Sequence, residues 1–227
     1  YIKEDGSILG YSMEKYNLDD INEGRVLFDL YKKTGKEKYK KAILLLRRQL
    51  ENQPRTVTRN FWHKQIYPNQ IWLDGLYMAQ VFYVRYQKEF GGKDYSDTVS
   101  QFRNVHKYMF NRNKGLYYHG MDCSKTAFWA DKETGCSKNF WLRAMGWFCV
   151  ALADIIEYID DAEARKELCG IFAEAIEGIS RYADKETGMF YQVIDCGGKE
   201  GNYLETSGSS MIAYAMMKGA RLGVIDK

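Results

Sequence analysis

Phe61-Trp62-His63-Lys64-Gln65-Ile66-Tyr67-Pro68-Asn69-Gln70-Ile71-Trp72-Leu73-Asp74-Gly75-Leu76-Tyr77-Met78-Ala79 is the stretch around which the sequence is organised. It gathers aromatic rings, a histidine and one carboxylate into nineteen residues. The residues before Pro68 favour extended chain, and those after Asp74 follow a helical pattern. Asp74 is therefore placed near a helix start, ringed by Trp62, Trp72 and Tyr77. Aromatic walls around one acidic group suit sugar binding and proton donation. The same residues also read as core packing, with Asp74 as a helix cap.

Outward from this stretch the chain is predominantly helical. Asn17-Leu18-Asp19-Asp20 looks like a helix start, because Asn and Asp satisfy free amides there. Ile21, Val26, Leu27, Leu30 and Tyr31 carry that helix to Thr34-Gly35, a stop signal. Tyr39, Ala42, Ile43, Leu46 and Leu50 mark a second helix with a basic outer face. A third runs from Asp74 to about Glu89, and a fourth turns Tyr95, Val99, Phe102, Val105 and Met109 inward. The fifth, from about Trp141 to Tyr158, has no polar side chain between Ala144 and Ala153, so it is predicted to be buried on every side. The sixth, from about Asp161 to Tyr182, is amphipathic, and the seventh spans about Ser207 to Leu222. Richly apolar helices alternate with half-polar ones, the pattern of an inner and an outer helix layer.

The connections repeat as well. Phe61-Trp62-His63 precedes Trp72-Leu73-Asp74, Leu116-Tyr117-Tyr118-His119 precedes Trp141-Leu142-Arg143, and Met189-Phe190-Tyr191-Gln192 precedes Tyr203-Leu204-Glu205. A second match, Asp-Lys-Glu-Thr-Gly at Asp131 and at Asp184, falls at different points of the unit and is read as chance. Units of about 60 residues, each an outer and an inner helix, predict an all-α toroid of helical hairpins, with residues 1–227 as one α/α-barrel domain. Six hairpins would take roughly 360 residues, so the barrel is expected to be incomplete in this chain, with flanking helices missing.

Composition narrows the function. At 45% hydrophobic and 15% aromatic, the chain can bury a large core, and its net charge of +3, from 33 basic and 30 acidic residues, gives no basic run for nucleic acid. No stretch is long enough to span a membrane. The first residue is Tyr1 rather than Met, so an N-terminal signal removed from the sequence leaves a periplasmic location open beside the cytoplasmic one. The five cysteines have no paired spacing and read as reduced thiols of a reducing compartment. There is no nucleotide-binding glycine motif and no histidine spacing for a dedicated zinc site, so neither metal nor cofactor is expected.

In a toroid the inner helices run parallel and open at one end. Asp19, Asp74, Arg143 and Glu205 begin four successive inner helices, and the connections carrying His63 and His119 lead to the same end. Each has a plainer alternative: Asp19 and Asp74 as caps, the histidines as half-buried structural groups, Trp147 as core. His106 falls on an outer helix and reads as surface. Arg143 stands beside a ten-residue apolar run, where a guanidinium needs a protein carboxylate or an anionic ligand. Glu205 lies in a weaker copy of the motif and is left out of the site.

Tyr16-Asn17-Leu18-Asp19-Asp20-Ile21-Asn22-Glu23-Gly24, Phe61-Trp62-His63-Lys64, Tyr67 through Met78 and Trp141-Leu142-Arg143-Ala144-Met145-Gly146-Trp147 together resemble the unsaturated rhamnogalacturonyl hydrolases, glycoside hydrolase family 105. The resemblance extends over nearly the whole chain, to Gly223. It implies an (α/α)6 barrel and a pectin-derived oligosaccharide substrate whose non-reducing end is an unsaturated galacturonyl unit. It implies hydration of the C4=C5 vinyl ether rather than attack at the anomeric carbon. Asp74 would protonate C4 and activate water, Asp19 would be the second carboxylate, and His63, His119, Arg143 and Trp147 would bind the sugar; Trp72 and Trp62, the rings beside Asp74, are sugar-binding candidates on the aromatic reading above. A glucuronyl hydrolase on glycosaminoglycan fragments, a non-catalytic sugar-binding protein and a structural helical-repeat protein are the other readings. The active form is expected to be a monomer or a homodimer.

Overall fold

The structure is a computed structural model describing residues 1–226. Its helices are α1 (Asp19–Asn22), α2 (Arg25–Thr34), α3 (Glu37–Asn52), α4 (Leu73–Glu89), α5 (Ser96–Met109), α6 (Leu142–Ile156), α7 (Ala162–Ser180) and α8 (Thr206–Arg221). The sequence reads α1 and α2 as one helix. The break falls at Glu23-Gly24, where the Gly24 amide turns back to the Ile21 carbonyl at 2.9 Å. A side chain at Gly24 would collide with Leu46 of α3 and crowd Phe82 of α4. The glycine thus lets the α1–α2 junction seat against both helices.

The remaining helices follow their patterns. α3 buries Ala42, Ile43, Leu46 and Leu50, and α5 buries Val99, Phe102, Val105 and Met109. α6 packs against α4 on one side and α8 on the other, with α7 behind it. α5 packs against α7, and α3 against α2 and α4. The described residues therefore build an inner row of α1/α2, α4, α6 and α8 and an outer row of α3, α5 and α7, the α/α-barrel arrangement. Thirteen of the fifteen residues of α6 are buried, as a helix surrounded by protein must be. The two that are not fully buried are Arg143 and Trp147.

Strands are short and confined to connections. β1 (Gln70–Trp72) pairs antiparallel with β4 (Gly120–Asp122), setting Trp72 opposite Gly120, and β2 (Phe110–Asn111) pairs with β3 (Leu116–Tyr117). The extended segment of the opening motif thus lies after Pro68, not before it. Lys64 to Tyr67 instead form a turn closed by the Tyr67 amide on the Lys64 carbonyl at 3.0 Å.

The sequence repeat is also a backbone repeat. The amides of Leu18, Leu73 and Leu142, each next to an inner-helix start, donate to the carbonyls of His63, His119 and Gln192 at 3.1, 3.1 and 2.9 Å. Three of the four inner-row helix starts, those of α1, α4 and α6, are tied in this way to the connection that follows. The two Asp-Lys-Glu-Thr-Gly segments are not chance likenesses in local terms. In both, the Asp carboxylate accepts the amide and hydroxyl of the Thr, and a left-handed glycine closes on the Asp carbonyl at 2.8 Å. Asp131 and Asp184 nevertheless sit at different points of the barrel unit, so what repeats is a turn, not a hairpin.

α7 meets the turn before β3 through a pair of glycines. A Cβ at Gly178 would run into the Gly115 carbonyl, and Gly115 itself has φ +67°. Backbone rather than a movable side chain stands in the way. Gly178→Ala is expected to lower stability by about 1–3 kcal/mol, read from a urea titration; an unmoved midpoint would show that α7 can slide away freely.

Candidate active site

The four polar residues at the inner-helix starts have different occupations. Glu205 is a true cap: it accepts the amides of Ser207 at 3.2 Å and Gly208 at 2.6 Å. Asp19 does not cap α1; it is the helix's first residue, and its amide donates to the Asn17 side chain at 3.2 Å. The Asp19 carboxylate instead faces the next connection, with Lys64 Nζ at 2.6 Å and His63 Nε2 at 3.4 Å. Asp74 is the second residue of α4, and its Oδ2 is buried with no hydrogen-bond partner among the described residues.

Arg143 lies over the Trp141 ring at 4.2 Å and reaches Glu205 only at 3.7 Å. It makes no side-chain hydrogen bond among the described residues. Its partner carboxylate is already engaged in capping α8, so the guanidinium keeps most of its donors for something else.

Burial pushes the Asp74 carboxyl up to about 6; its own backbone amide opposes this, the Asp19 charge adds to it, and Arg143 and Lys64 oppose it more weakly. The helix N-terminus favours ionised carboxylates, and here burial overrides it. His63 is held down to about 4 by burial, with Asp19 working the other way, so it is neutral at pH 7. Its Nδ1 is buried without a partner among the described residues, and a Cβ at residue 75 would come within 2.8 Å of it. Gly75 thereby makes room for His63 immediately beside Asp74.

Trp72 is the centre of the aromatic wall. Its ring lies 6.4 Å from His63, 6.1 Å from Tyr67, 5.7 Å from His119 and 5.4 Å from Trp129. His119 Nδ1 lies 3.1 Å from the Asn139 carbonyl. A carbonyl can only accept, so Nδ1 carries the proton and Nε2 is left as an acceptor. Burial lowers the His119 pKa, and the Asn139 bond opposes that. Trp147 stacks on Tyr77 at 4.7 Å, and Arg25 donates to the Tyr77 hydroxyl at 2.6 Å.

Trp62 stands apart. It has no ring partner among the described residues, and its Nε1 is buried and unbonded. The structure gathers Asp19, Asp74, His63, His119, Trp72 and Arg143 but does not bring Trp62 into that wall. Tyr77, which the sequence sets around Asp74, is turned to Trp147. His106 is not a surface group: its Nδ1 is 2.7 Å from the Tyr117 hydroxyl and its ring stacks on Phe110. Lys64 and Trp129 belong to the site without having been singled out. Lys64 could have been found as the cation adjacent to His63, whereas Trp129 lies in an irregular loop with no local signal.

Among the described residues, no three His, Cys, Asp or Glu side chains are grouped to hold a metal ion, and no helix is long and apolar enough to cross a membrane. All five cysteines are free. The groove of about 630 Å³ between α5 and α7 lies on the outer side of the barrel, lined by paired charges such as Arg103 and Glu167.

A barrel of helical hairpins with a proton-holding carboxyl under an aromatic wall is the framework of a carbohydrate-active protein. The profile of Glycosyl Hydrolase Family 88 matches residues 1–227, and the chain belongs to that family. A solved glycoside hydrolase from family 105 of C. acetobutylicum ATCC 824 is 49% identical, with a TM-score of 0.97 over 99% of this chain and 63% of that one. The unsaturated rhamnogalacturonyl hydrolase YesR of Bacillus subtilis is 26% identical over 214 residues, 91% of this chain and 59% of the relative. A 24.9 kDa protein in the picA locus of Rhizobium radiobacter is 40% identical over 111 residues, 49% of this chain and 47% of the relative. The chain thus spans about half to three-fifths of these curated relatives. An unsaturated glucuronyl hydrolase from Bacillus sp. GL1 shares the fold at 14% identity and TM-score 0.68. The fold of these neighbours is the (α/α)6 barrel.

The Asp74 pKa sets a sign for stability. The unfolded carboxyl ionises near 3.8 and the folded one near 6, so the native state holds the proton more tightly and loses stability as pH rises through that window. Asp74→Asn is expected to stabilise the fold by about 2–3 kcal/mol at pH 8 and by little at pH 4. Denaturant titrations at the two pH values check this; equal gains at both would assign the effect to packing.

Proposed function

We propose that this site hydrates the C4=C5 double bond of an unsaturated galacturonyl residue at the non-reducing end of rhamnogalacturonan oligosaccharides and so releases that residue. The observation that carries the reading is the Asp74 carboxyl: buried, with one oxygen unbonded among the described residues, and with its pKa raised by burial to about 6. A general acid needs that property, and a structural cap does not.

In the proposed reaction Asp74 gives its proton to C4, and positive charge develops at C5 and the ring oxygen. Water adds to C5, and the Asp74 carboxylate takes up the proton that the water loses. The resulting C5 hemiketal opens to a ketone, leaving C1 as a hemiacetal that expels the next sugar as an alcohol. One water is consumed and Asp74 ends as it began. The anomeric carbon is never attacked, so the distance rules for paired carboxylates in ordinary glycosidases do not govern this site.

Asp19, fixed by Lys64 and His63, is the second carboxylate; it binds the sugar and raises the affinity of Asp74 for its proton. Arg143, with donors to spare, receives the uronate carboxylate. Trp72, His119 and Trp147 supply ring faces and a single acceptor nitrogen. The name of the B. subtilis relative supports galacturonyl-rhamnose over glucuronyl substrates.

The test follows the ultraviolet absorbance of the conjugated double bond on an unsaturated galacturonyl-rhamnose disaccharide and on a glucuronyl glycosaminoglycan disaccharide. Absorbance is expected to fall on the first. Binding without any loss of absorbance would point to a sugar-binding protein instead. Asp74→Asn should cut turnover at least ~100-fold with the fold intact; full activity would remove Asp74 from the reaction. In the wild type kcat should fall about tenfold per pH unit above about pH 6, as the acid loses its proton. Arg143→Met should raise KM roughly 10- to 100-fold, the cost of one charged hydrogen-bonding partner.

A further inference from the structure

Between β4 and α6 the chain makes an arm, residues 123–131, that the proposed reaction does not use. Its foot is Asp122, only 2% exposed. The Asp122 carboxylate accepts the amides of Ser124 at 2.9 Å, Thr126 at 2.9 Å and Ala127 at 2.7 Å, and the Ser124 hydroxyl at 2.6 Å. Four bonds to one buried carboxylate fix the arm's path. Lys125 turns through φ +59° and its Nζ donates to the Glu133 carbonyl at 2.6 Å. The Ala130 amide closes on Ala127 at 3.1 Å.

At its tip this pinned arm carries two consecutive aromatic residues. Trp129 packs on Trp72 at 5.4 Å, with Gly120 beside both indoles, where a Cβ would meet each at an ordinary contact distance of 3.5 Å. Phe128 is 96% exposed. A lone exposed hydrophobic residue needs no explanation. Phe128 differs because its backbone is held in place, its neighbour packs at a tilt against the site's aromatic wall, and that wall includes Trp72, two residues before Asp74.

We infer that the arm presents Phe128 and Trp129 as a stacking platform for a sugar beyond the residue that is released, so that these rings set the preference for oligosaccharide length. The inference rests on the hydrolase reading for the identity of its ligand. A pyranose offers a face of C–H groups, and an aromatic ring offers a complementary apolar face. A platform already ordered before binding loses little entropy when the sugar arrives. Through Trp129 the arm joins the wall formed by Trp72 and His119.

Phe128→Ala tests this, because an exposed side chain can be removed without disturbing the core. KM is measured for wild type, Phe128→Ala and Phe128→Tyr on the unsaturated disaccharide and on an unsaturated tetrasaccharide of alternating galacturonate and rhamnose. Kd is measured by calorimetry for the saturated tetrasaccharide. Phe128→Ala should raise KM and Kd for the tetrasaccharides about 3- to 10-fold, shift the disaccharide KM less than about twofold, and leave kcat in place; Phe128→Tyr should restore the wild-type values. Unchanged tetrasaccharide binding, or equal loss on both lengths, overturns the platform. If the wild type turns over neither substrate while Phe128→Ala still weakens tetrasaccharide binding, the hydrolase reading fails and the platform stands.

Discussion

Three backbone hydrogen bonds of one kind hold the working end of the barrel together. The first amides of a helix have no partner within it. Here the amides of Leu18, Leu73 and Leu142 are satisfied by carbonyls of the connections that follow, at His63, His119 and Gln192. Each bond fastens the start of an inner helix to a segment some fifty residues further on. Because Asp19, Asp74 and Arg143 each come one residue after the bonded leucine, their side chains are delivered to the same rim. The His63 and His119 side chains are delivered by the other halves of the same bonds.

Within that rim the two carboxylates are treated in opposite ways. Asp19 has a cation in contact and a histidine beside it, and it stands partly open to water. Asp74 has no ion pair in contact, an unbonded oxygen and a raised pKa, because burial costs the charged form more than the helix N-terminus returns. Gly75 matters to this contrast: without a side chain of its own it admits the neutral His63 ring beside Asp74. Glu205 provides the comparison from inside the same molecule. It occupies the corresponding place at α8, and its oxygens are fully engaged by Ser207 and Gly208.

The tyrosine and tryptophan contacts extend the same ordering deeper into the barrel. Arg25 bonds the Tyr77 hydroxyl, Tyr77 stacks on Trp147, and Arg25 also approaches Asp154, which binds Lys218 at 2.8 Å. The chain of contacts runs from α2 through α4 and α6 to α8. The Trp147 ring is thus backed, through Tyr77, by polar groups from the other inner helices.

Helix positions, the inner and outer layers, and the convergence of Asp19, Asp74, His63, His119 and Arg143 were legible in the sequence, because they follow from periodic burial and a repeated aromatic-leucine-polar element. The break at Gly24 was not legible, since it depends on Leu46 and Phe82 pressing from other helices. Trp62 and Trp72 are equally aromatic neighbours of Asp74 in sequence, yet only Trp72 enters the wall. The pairing of β1 with β4 sets Trp72 opposite Gly120, among the rings of His119 and Trp129. The same local sequence, Asp-Lys-Glu-Thr-Gly, forms the same turn at both its positions, because its hydrogen bonds close within five residues. Whether Glu205 caps a helix while Asp74 keeps its proton is a matter of what surrounds each carboxyl, and only tertiary packing supplies those surroundings.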